Sequence, residues 1–160
     1  MMILDDLKSM VEYVQSLGDL VEEGHKNSFA RVVITLATAA NPENLDHTLA
    51  QVSWAGATIG YLESRWRSKE RQAKAILESA QAAAAKKLRD VAKATGAKTT
   101  EKSIEEEVTI DPSVTAAVSK HSLTQEIADI LQSVRYALKE HQENLRELSR
   151  NERQSARMGS

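Results

Sequence analysis

Apolar residues recur every three or four positions through most of the chain, which is the spacing of one buried face of an α-helix. The longest such stripe begins at Leu45 and continues to Val91. It predicts one helix from Pro42 to about Gly96, with Asn41 as its N-cap and a glycine at its end. At about 1.5 Å of rise per residue this helix would be roughly 80 Å long, which is too long for a compact domain of this size.

Two shorter amphipathic segments precede this helix. The first covers residues 3–17, and Gly24 is expected to end it. The second is expected to begin with Asn27 or Ser28 as its N-cap and to end near Ala40, since the position before a proline disfavours the α conformation. These two segments predict a small helical hairpin over residues 1–40.

A second long stripe occupies the C-terminal third of the chain. The sequence Ser103-Ile-Glu-Glu106 fits a capping box and predicts a short helix there. Asp111-Pro112 predicts the start of a long helix over residues 112–150, with an irregularity near 119–122. Residues 151–160 are polar and are expected to form a frayed tail. The two long helices would then pair as an antiparallel hairpin over residues 41–150.

The composition supports an all-α protein. Six glycines and two prolines interrupt 160 residues, and six aromatic residues are few for a self-sufficient core. Contacts between helices must therefore supply the burial, including contacts between subunits. Gly56 and Gly60 have the G-x-x-x-G spacing that permits close helix packing. We predict an extended antiparallel long-helix hairpin with a small N-terminal helical hairpin, assembling into a homo-oligomer.

Charge is distributed unevenly, although the net charge is only −2. Residues 1–64 hold three basic and nine acidic side chains, and residues 103–160 hold seven basic and ten acidic ones. Residues 65–102 hold eleven basic and four acidic side chains, which is a local charge of +7. Such a block is typical of a phosphate-binding surface, and the alternative is a solvated helix face.

The candidate nucleic-acid-binding residues lie in or beside this block: Tyr61, Arg65, Arg67, Lys69, Arg71, Lys86, Lys87, Arg89, Lys93, Lys98 and Lys102. Lys86 to Lys102 is the cleaner phosphate-facing segment, and Tyr61 to Arg71 is a second contact zone in which Tyr61 could stack on a base. Trp66 continues the apolar stripe and is expected in the core. Trp54 is also expected to be buried.

Several of these charges could neutralise one another within the helix. The expected i,i+4 ion pairs are Glu63–Arg67, Glu70–Lys74 and Lys86–Asp90. No helix-turn-helix, zinc finger or RNA-recognition motif is present, so binding would be led by the backbone, with little sequence preference and a strong dependence on salt.

No set of residues indicates catalysis. The chain has no cysteine, and its four histidines (His25, His47, His121 and His141) are far apart and form no metal-binding pair. Neither a signal peptide nor an apolar run long enough to span a membrane is apparent. We expect a non-enzymatic cytoplasmic protein without a catalytic site, a metal or a cofactor.

Three features of residues 61–150 carry a resemblance to a known family. They are the long basic helix with Ala85-Lys-Lys-Leu-Arg-Asp90, the segment Thr100-Glu-Lys-Ser-Ile-Glu-Glu-Glu-Val-Thr-Ile-Asp-Pro-Ser-Val114, and the amphipathic helix from Ile127 to Arg150. Together they resemble the UvsY-type recombination mediators of tailed bacteriophages, over about 90 residues of this chain. Residues 1–44 have no counterpart in this resemblance.

The resemblance implies a specific function in DNA recombination and repair. It implies binding to single-stranded DNA, contacts with the phage recombinase and the single-strand-binding protein, and loading of recombinase onto coated DNA in the host cytoplasm. It places Lys86, Lys87 and Arg89 against phosphate. It also implies a ring-like homo-oligomer in which apolar residues of the C-terminal helix pack between subunits: Ile127, Leu131, Val134, Leu138, Leu145 and Leu148.

Two other interpretations stay open at this point. The chain could be a structural or scaffolding helical protein, such as a coiled-coil assembly component, whose charges are solvated faces. It could also be a regulator that binds a partner protein by helix-in-groove contacts.

Overall fold

The computed structural model describes residues 4–16, 23–39 and 44–158, and within these ranges the chain is helical without any strand. The helices are α1 (Leu4–Ser16), α2 (Glu23–Ala39), α3 (Leu45–Thr95), α4 (Glu101–Ile110) and α5 (Pro112–Met158). The all-α class and the presence of two long helices, α3 and α5, are thereby confirmed.

The chain divides into two compact units. Unit 1 comprises Met1–Ser64 and Asp129–Ser160, and unit 2 comprises Arg65–Ala128. α3 and α5 each contribute a part to both units, whereas α1 and α2 belong to unit 1 and α4 belongs to unit 2. The domain boundary predicted after residue 40 lies outside the described residues.

Each helix of unit 1 buries one apolar stripe. α1 and α2 pack against each other, as predicted for the N-terminal hairpin. The buried stripes follow the spacing of three and four residues that defines one helix face, and they consist of Leu7, Val11 and Val14 in α1, Phe29, Val32 and Leu36 in α2, Val52, Ala55, Ile59 and Leu62 in α3, and Leu131, Val134, Leu138 and Leu145 in α5.

Polar contacts fix the direction of α5 relative to α3 within unit 1. The pairs are Glu63 with Arg135 at 2.8 Å, Ser53 with Gln142 at 2.6 Å and Asp46 with Arg153 at 3.0 Å. Because the partner moves later in α5 as the position moves earlier in α3, these parts of the two helices are antiparallel. Glu63 is only 8% exposed. An unpaired carboxylate would be costly at such a site, so the arginine is needed there.

The core of unit 2 combines alanines with larger aliphatic side chains. Ala84, Ile104, Val108 and Val114 form one buried cluster that joins α3, α4 and α5, and Leu77, Ala80, Ala85 and Leu88 pack against it. Trp66 is also buried, which confirms its predicted place in the core. Trp54, in unit 1, is only partly buried and differs from the prediction.

The boundaries of α3 follow from its caps. Asn44 Oδ1 accepts a hydrogen bond from the His47 amide at 3.0 Å, whereas the predicted cap Asn41 lies outside the described residues. At the other end Gly96 has φ +65°, and the Ala97 amide donates to Ala92 O at 3.1 Å. This left-handed glycine and its bond satisfy a carbonyl that the helix end would leave unpaired, and they confirm the predicted end of α3.

Two predicted helix starts are wrong. α2 begins at Glu23, so Asn27 and Ser28 lie inside it and Gly24 does not end α1. His25 is buried in α2, and this packing outweighs the local preference for a cap further along the chain. α4 begins at Glu101 because Thr100 Oγ1 accepts from the Ser103 amide, so Ser103 follows the cap instead of forming it.

The start of α5 is confirmed, but its predicted end is wrong. Asp111 accepts hydrogen bonds from the Ser113 hydroxyl and amide, and these bonds lower the pKa of the Asp111 carboxyl. The helix continues without interruption through residues 119–122 and on to Met158, so no frayed tail begins at 151. This extension contains neither glycine nor proline before the helix ends, and Arg153 lies 3.0 Å from Asp46.

The six apolar residues assigned to subunit contacts fall into two groups. Leu148 is 53% exposed, whereas the other five, Ile127, Leu131, Val134, Leu138 and Leu145, are buried within the single chain. A role of these residues between subunits stays a prediction, and only the Leu148 side chain of this set is accessible to a second copy.

Alanine substitutions at Leu138 and Leu148 are expected to distinguish a buried core residue from a surface residue. Leu138→Ala should lower the free energy of unfolding by about 2–5 kcal/mol, because it opens a cavity in a packed core. Leu148→Ala should change it by no more than about 0.5 kcal/mol, as at other surface positions. Urea denaturation measures both values, and a large loss in the Leu148 variant at low protein concentration would contradict the assignment.

The two glycines of α3 do not mark a close helix contact. A Cβ added at Gly56 meets no atom within 4 Å, and one added at Gly60 would make an ordinary 3.5 Å contact with the Arg135 side chain. We therefore expect Gly56→Ala to raise the free energy of unfolding by about 0.5–1 kcal/mol, because alanine loses less conformational entropy in a helix. A lower stability in urea would show a close contact at Gly56.

Stability should also depend on His141, which is partly buried between Leu138 and Leu145 on α5. Its Nε2 atom has no hydrogen-bond partner among the described residues, and burial lowers its pKa below the ordinary value of 6.5. The unfolded chain therefore binds the proton more readily, so stability should fall as the pH drops through about 6.5. The urea concentration at the midpoint of unfolding should decrease between about pH 7.5 and about pH 5.5. This decrease should be smaller in His141→Gln than in the wild type. Equal decreases of the midpoint in the two proteins would contradict a contribution of His141 to the pH dependence of stability.

Candidate nucleic-acid interface

The core of unit 2 determines which way the lysines of α3 point. Ala84 faces the buried cluster, and successive residues of a helix are rotated by about 100°. Lys86 and Lys93, two and nine positions later, therefore lie on the opposite side of α3. Both are exposed, and neither forms an ion pair within the described part of the chain. Their charges are available to a ligand in solution.

Lys87 adds a second exposed cation beside Lys86. Together with Asp90 and apolar side chains, the two lysines line a shallow depression of about 460 Å³ on α3, whose other lining residues are Ala83, Val91 and Ala94. Val91 is 54% exposed. A surface that combines ammonium groups with an open apolar floor can hold a phosphate next to a sugar or a base.

Arg89 is engaged with another side chain. Its Nη2 atom donates to Glu101 Oε2 at 2.7 Å, and its Nε atom lies 3.4 Å from Oε1. The hydrogen bond raises the pKa of Arg89 and lowers the pKa of Glu101. The contact links the last turns of α3 to the first residue of α4, so Arg89 offers less free charge than Lys86. Sequence reasoning missed this pair because it searched for partners four residues away, whereas the turn at Gly96 brings the two residues together.

The remaining cations of this segment are fully exposed. Lys102 approaches Glu106 at 4.0 Å, with side chains 85% and 70% exposed, and such a pair has little net effect. Lys98 lies in the link between α3 and α4 and forms no ion pair within the described ranges.

Residues 65–71 present fewer free charges than the sequence suggests. Arg67 pairs with Glu70 at 2.9 Å, and Lys69 Nζ lies 4.4 Å from the centre of the Trp66 ring. Arg65 and Arg71 are exposed. Because Trp66 is buried under this cation, it is unavailable as a stacking platform.

None of the three expected i,i+4 pairs is present among the described residues. Glu63 pairs with Arg135 in unit 1, and Glu70 pairs with Arg67 instead of Lys74. Lys86 makes no ion pair with Asp90 in the structure. The neutralisation expected around Lys86 is therefore absent from the described residues.

Two aromatic contacts occur in unit 1. Tyr61 is 57% exposed and lies edge-on to His25, with ring centres 6.1 Å apart. The guanidinium carbon of Arg31 lies 4.5 Å from the centre of the Trp54 ring. Sequence reasoning found Tyr61 but missed the Arg31–Trp54 contact, which joins two helices and leaves no local pattern.

The described residues contain neither a metal-binding cluster nor a membrane-spanning helix. No group of three or more His, Asp or Glu side chains there could hold a metal ion. None of the helices in residues 4–16, 23–39 and 44–158 combines the length and the apolar character that a membrane span requires.

No protein-family model, no curated protein and no solved structure matches this chain.

Proposed function

We propose that this protein is a single-stranded-DNA-binding recombination mediator, acting as a homo-oligomer. The observation that carries the proposal is the placement of Lys86, Lys87 and Lys93. All three are exposed on the C-terminal part of α3, and Lys86 and Lys93 form no ion pair in the described part of the chain. Lys87 lies near Asp111, where its charge, after the hydrogen bonds from Ser113, also lowers the pKa of the Asp111 carboxyl.

The chemistry of these residues suits a phosphate backbone. Exposed ammonium groups bind phosphates without reading the sequence of the bases, and each contact releases condensed counterions. Three lysines on one subunit bind weakly, and several subunits on one strand would bind more tightly through their effective concentration. A homo-oligomer therefore fits a protein with few phosphate contacts per copy.

The resemblance to UvsY-type mediators makes the proposal more specific. It supports contacts with a recombinase and with a single-strand-binding protein, and a role in loading the recombinase onto coated DNA. Lys86 and Lys87 lie in the segment that corresponds to the basic motif of that family, which supports their role at phosphate.

A scaffolding protein is the second candidate. The pairs Arg67–Glu70 and Arg89–Glu101 favour it, because they use basic side chains of α3 to hold neighbouring residues together. Under that interpretation the three exposed lysines would only solvate the helix.

Titration of a labelled oligothymidylate distinguishes the two candidates. The wild type should bind with a micromolar or tighter Kd at about 50 mM salt, and log K should fall linearly with log salt concentration. The triple variant that combines Lys86→Gln, Lys87→Gln and Lys93→Gln should bind about tenfold more weakly. The slope of log K against log salt concentration should decrease in magnitude by about two, since each phosphate contact on a single strand contributes about 0.7.

The matched control removes three lysines elsewhere: Lys8→Gln, Lys26→Gln and Lys120→Gln. It changes the net charge equally and should retain most of the affinity. Absence of binding by the wild type at low salt would overturn the mediator proposal and favour the scaffold. An equal loss of affinity in both triple variants would show a general effect of net charge and no specific site on α3.

A further inference from the structure

A second basic face lies on the C-terminal part of α5, in unit 1. Arg146, Arg150, Arg153 and Arg157 are separated by four, three and four residues. On a helix this spacing places them within a sector about 60° wide and along about 16 Å of axis. Lys139 falls in the same sector one heptad before Arg146. All five side chains are exposed.

The charges of this face are only partly compensated. Arg153 lies 3.0 Å from Asp46 Oδ1, but both side chains are more than 60% exposed (67% and 69%), so the pair is weak. Arg146 and Arg150 form no ion pair within the described residues. Glu143 falls at the edge of this sector and Glu147 falls about 60° beyond it, and neither forms an ion pair with Arg146 or Arg150 in the structure.

We propose that Lys139, Arg146, Arg150, Arg153 and Arg157 form a second phosphate-binding surface for single-stranded nucleic acid. This inference rests on the proposed function and adds a contact that the lysines of α3 do not provide. The planar guanidinium group donates two parallel hydrogen bonds to one phosphate, which an ammonium group cannot do. Regularly spaced arginines along one helix face can therefore follow consecutive phosphates of an extended strand.

The surroundings of the arginines favour a nucleic acid over a membrane surface. A helix that lies on a membrane inserts an apolar face beside its basic one. Most of the apolar stripe of α5 in unit 1 is already buried in the protein, as at Leu138 and Leu145, which are 1% and 3% exposed. Its exposed member Leu148 lies on the side of the helix away from Arg146. The basic face contains no apolar side chain that could insert into lipid.

The experiment compares variants of the two faces with the same labelled oligothymidylate. The triple variant that combines Arg146→Gln, Arg150→Gln and Arg157→Gln should bind about tenfold more weakly at about 50 mM salt. The slope of log K against log salt concentration should decrease in magnitude by about two. Arg153 stays in place, so that its contact with Asp46 is kept. The Lys8, Lys26 and Lys120 triple variant again provides the charge-matched control.

The outcomes separate this inference from the proposed function. If the α5 variant binds like the wild type while the α3 variant is weakened, the inference is overturned and the proposed function stands. If the wild type binds no oligonucleotide, both fail. If phosphatidylserine vesicles bind the wild type and lose this binding in the α5 variant, while oligonucleotide binding is unchanged, the face belongs to lipid and the inference is overturned.

A measurement on the wild-type protein guards against a variant that fails to fold. Phenylglyoxal modifies accessible arginines, and mass spectrometry identifies the modified positions. The oligonucleotide should protect Arg146 and Arg150 several-fold while leaving Arg31 unchanged. Equal modification of Arg146 and Arg150 with and without the oligonucleotide would overturn the inference.

Discussion

The burial of one apolar stripe along α3 determines where every charged side chain of that helix points. A helix hides only part of its circumference, so fixing Ala84 in the core of unit 2 also fixes Lys86 and Lys93 on the opposite side. A shift of one residue in this packing would rotate the lysines by about 100°. The packing of Ala84 against α4 and α5 therefore also orients the candidate phosphate contacts on α3.

Two kinds of ion pair must be distinguished in this protein. Glu63 is nearly fully buried and needs Arg135, because removal of one partner from a buried pair is strongly destabilising. Arg89 and Glu101 are exposed, and such a surface pair contributes little to stability. A phosphate can replace Glu101 as the partner of Arg89 at little energetic cost, whereas Arg135 is committed to the fold. Exposure thus separates charges that hold the helices together from charges that can serve a ligand.

Local sequence signals predicted those features that depend on neighbouring residues alone. Gly96 at the end of α3, the Asp111 cap at the start of α5 and the buried Trp66 follow from turn chemistry and helix periodicity, and the structure contains all three. The early start of α2 and the partner of Glu63 depend on contacts between helices, which no spacing in the sequence records. The exposure of Lys86 and Lys93 followed from helix periodicity. That they form no ion pairs could be established only from the positions of the surrounding carboxylates in the structure.

The packing of α5 limits how this chain could assemble. Leu138 and Leu145 are buried by the chain itself, so a second copy could contact them only if unit 1 opened. Leu148 continues the same stripe and is exposed, so an interface on α5 would begin there. Leu148 is two residues from Arg146, which rotates it about 200° away from the arginine face. Because the two surfaces lie on different sides of one helix, contact between subunits at Leu148 leaves the arginines accessible to a strand of nucleic acid.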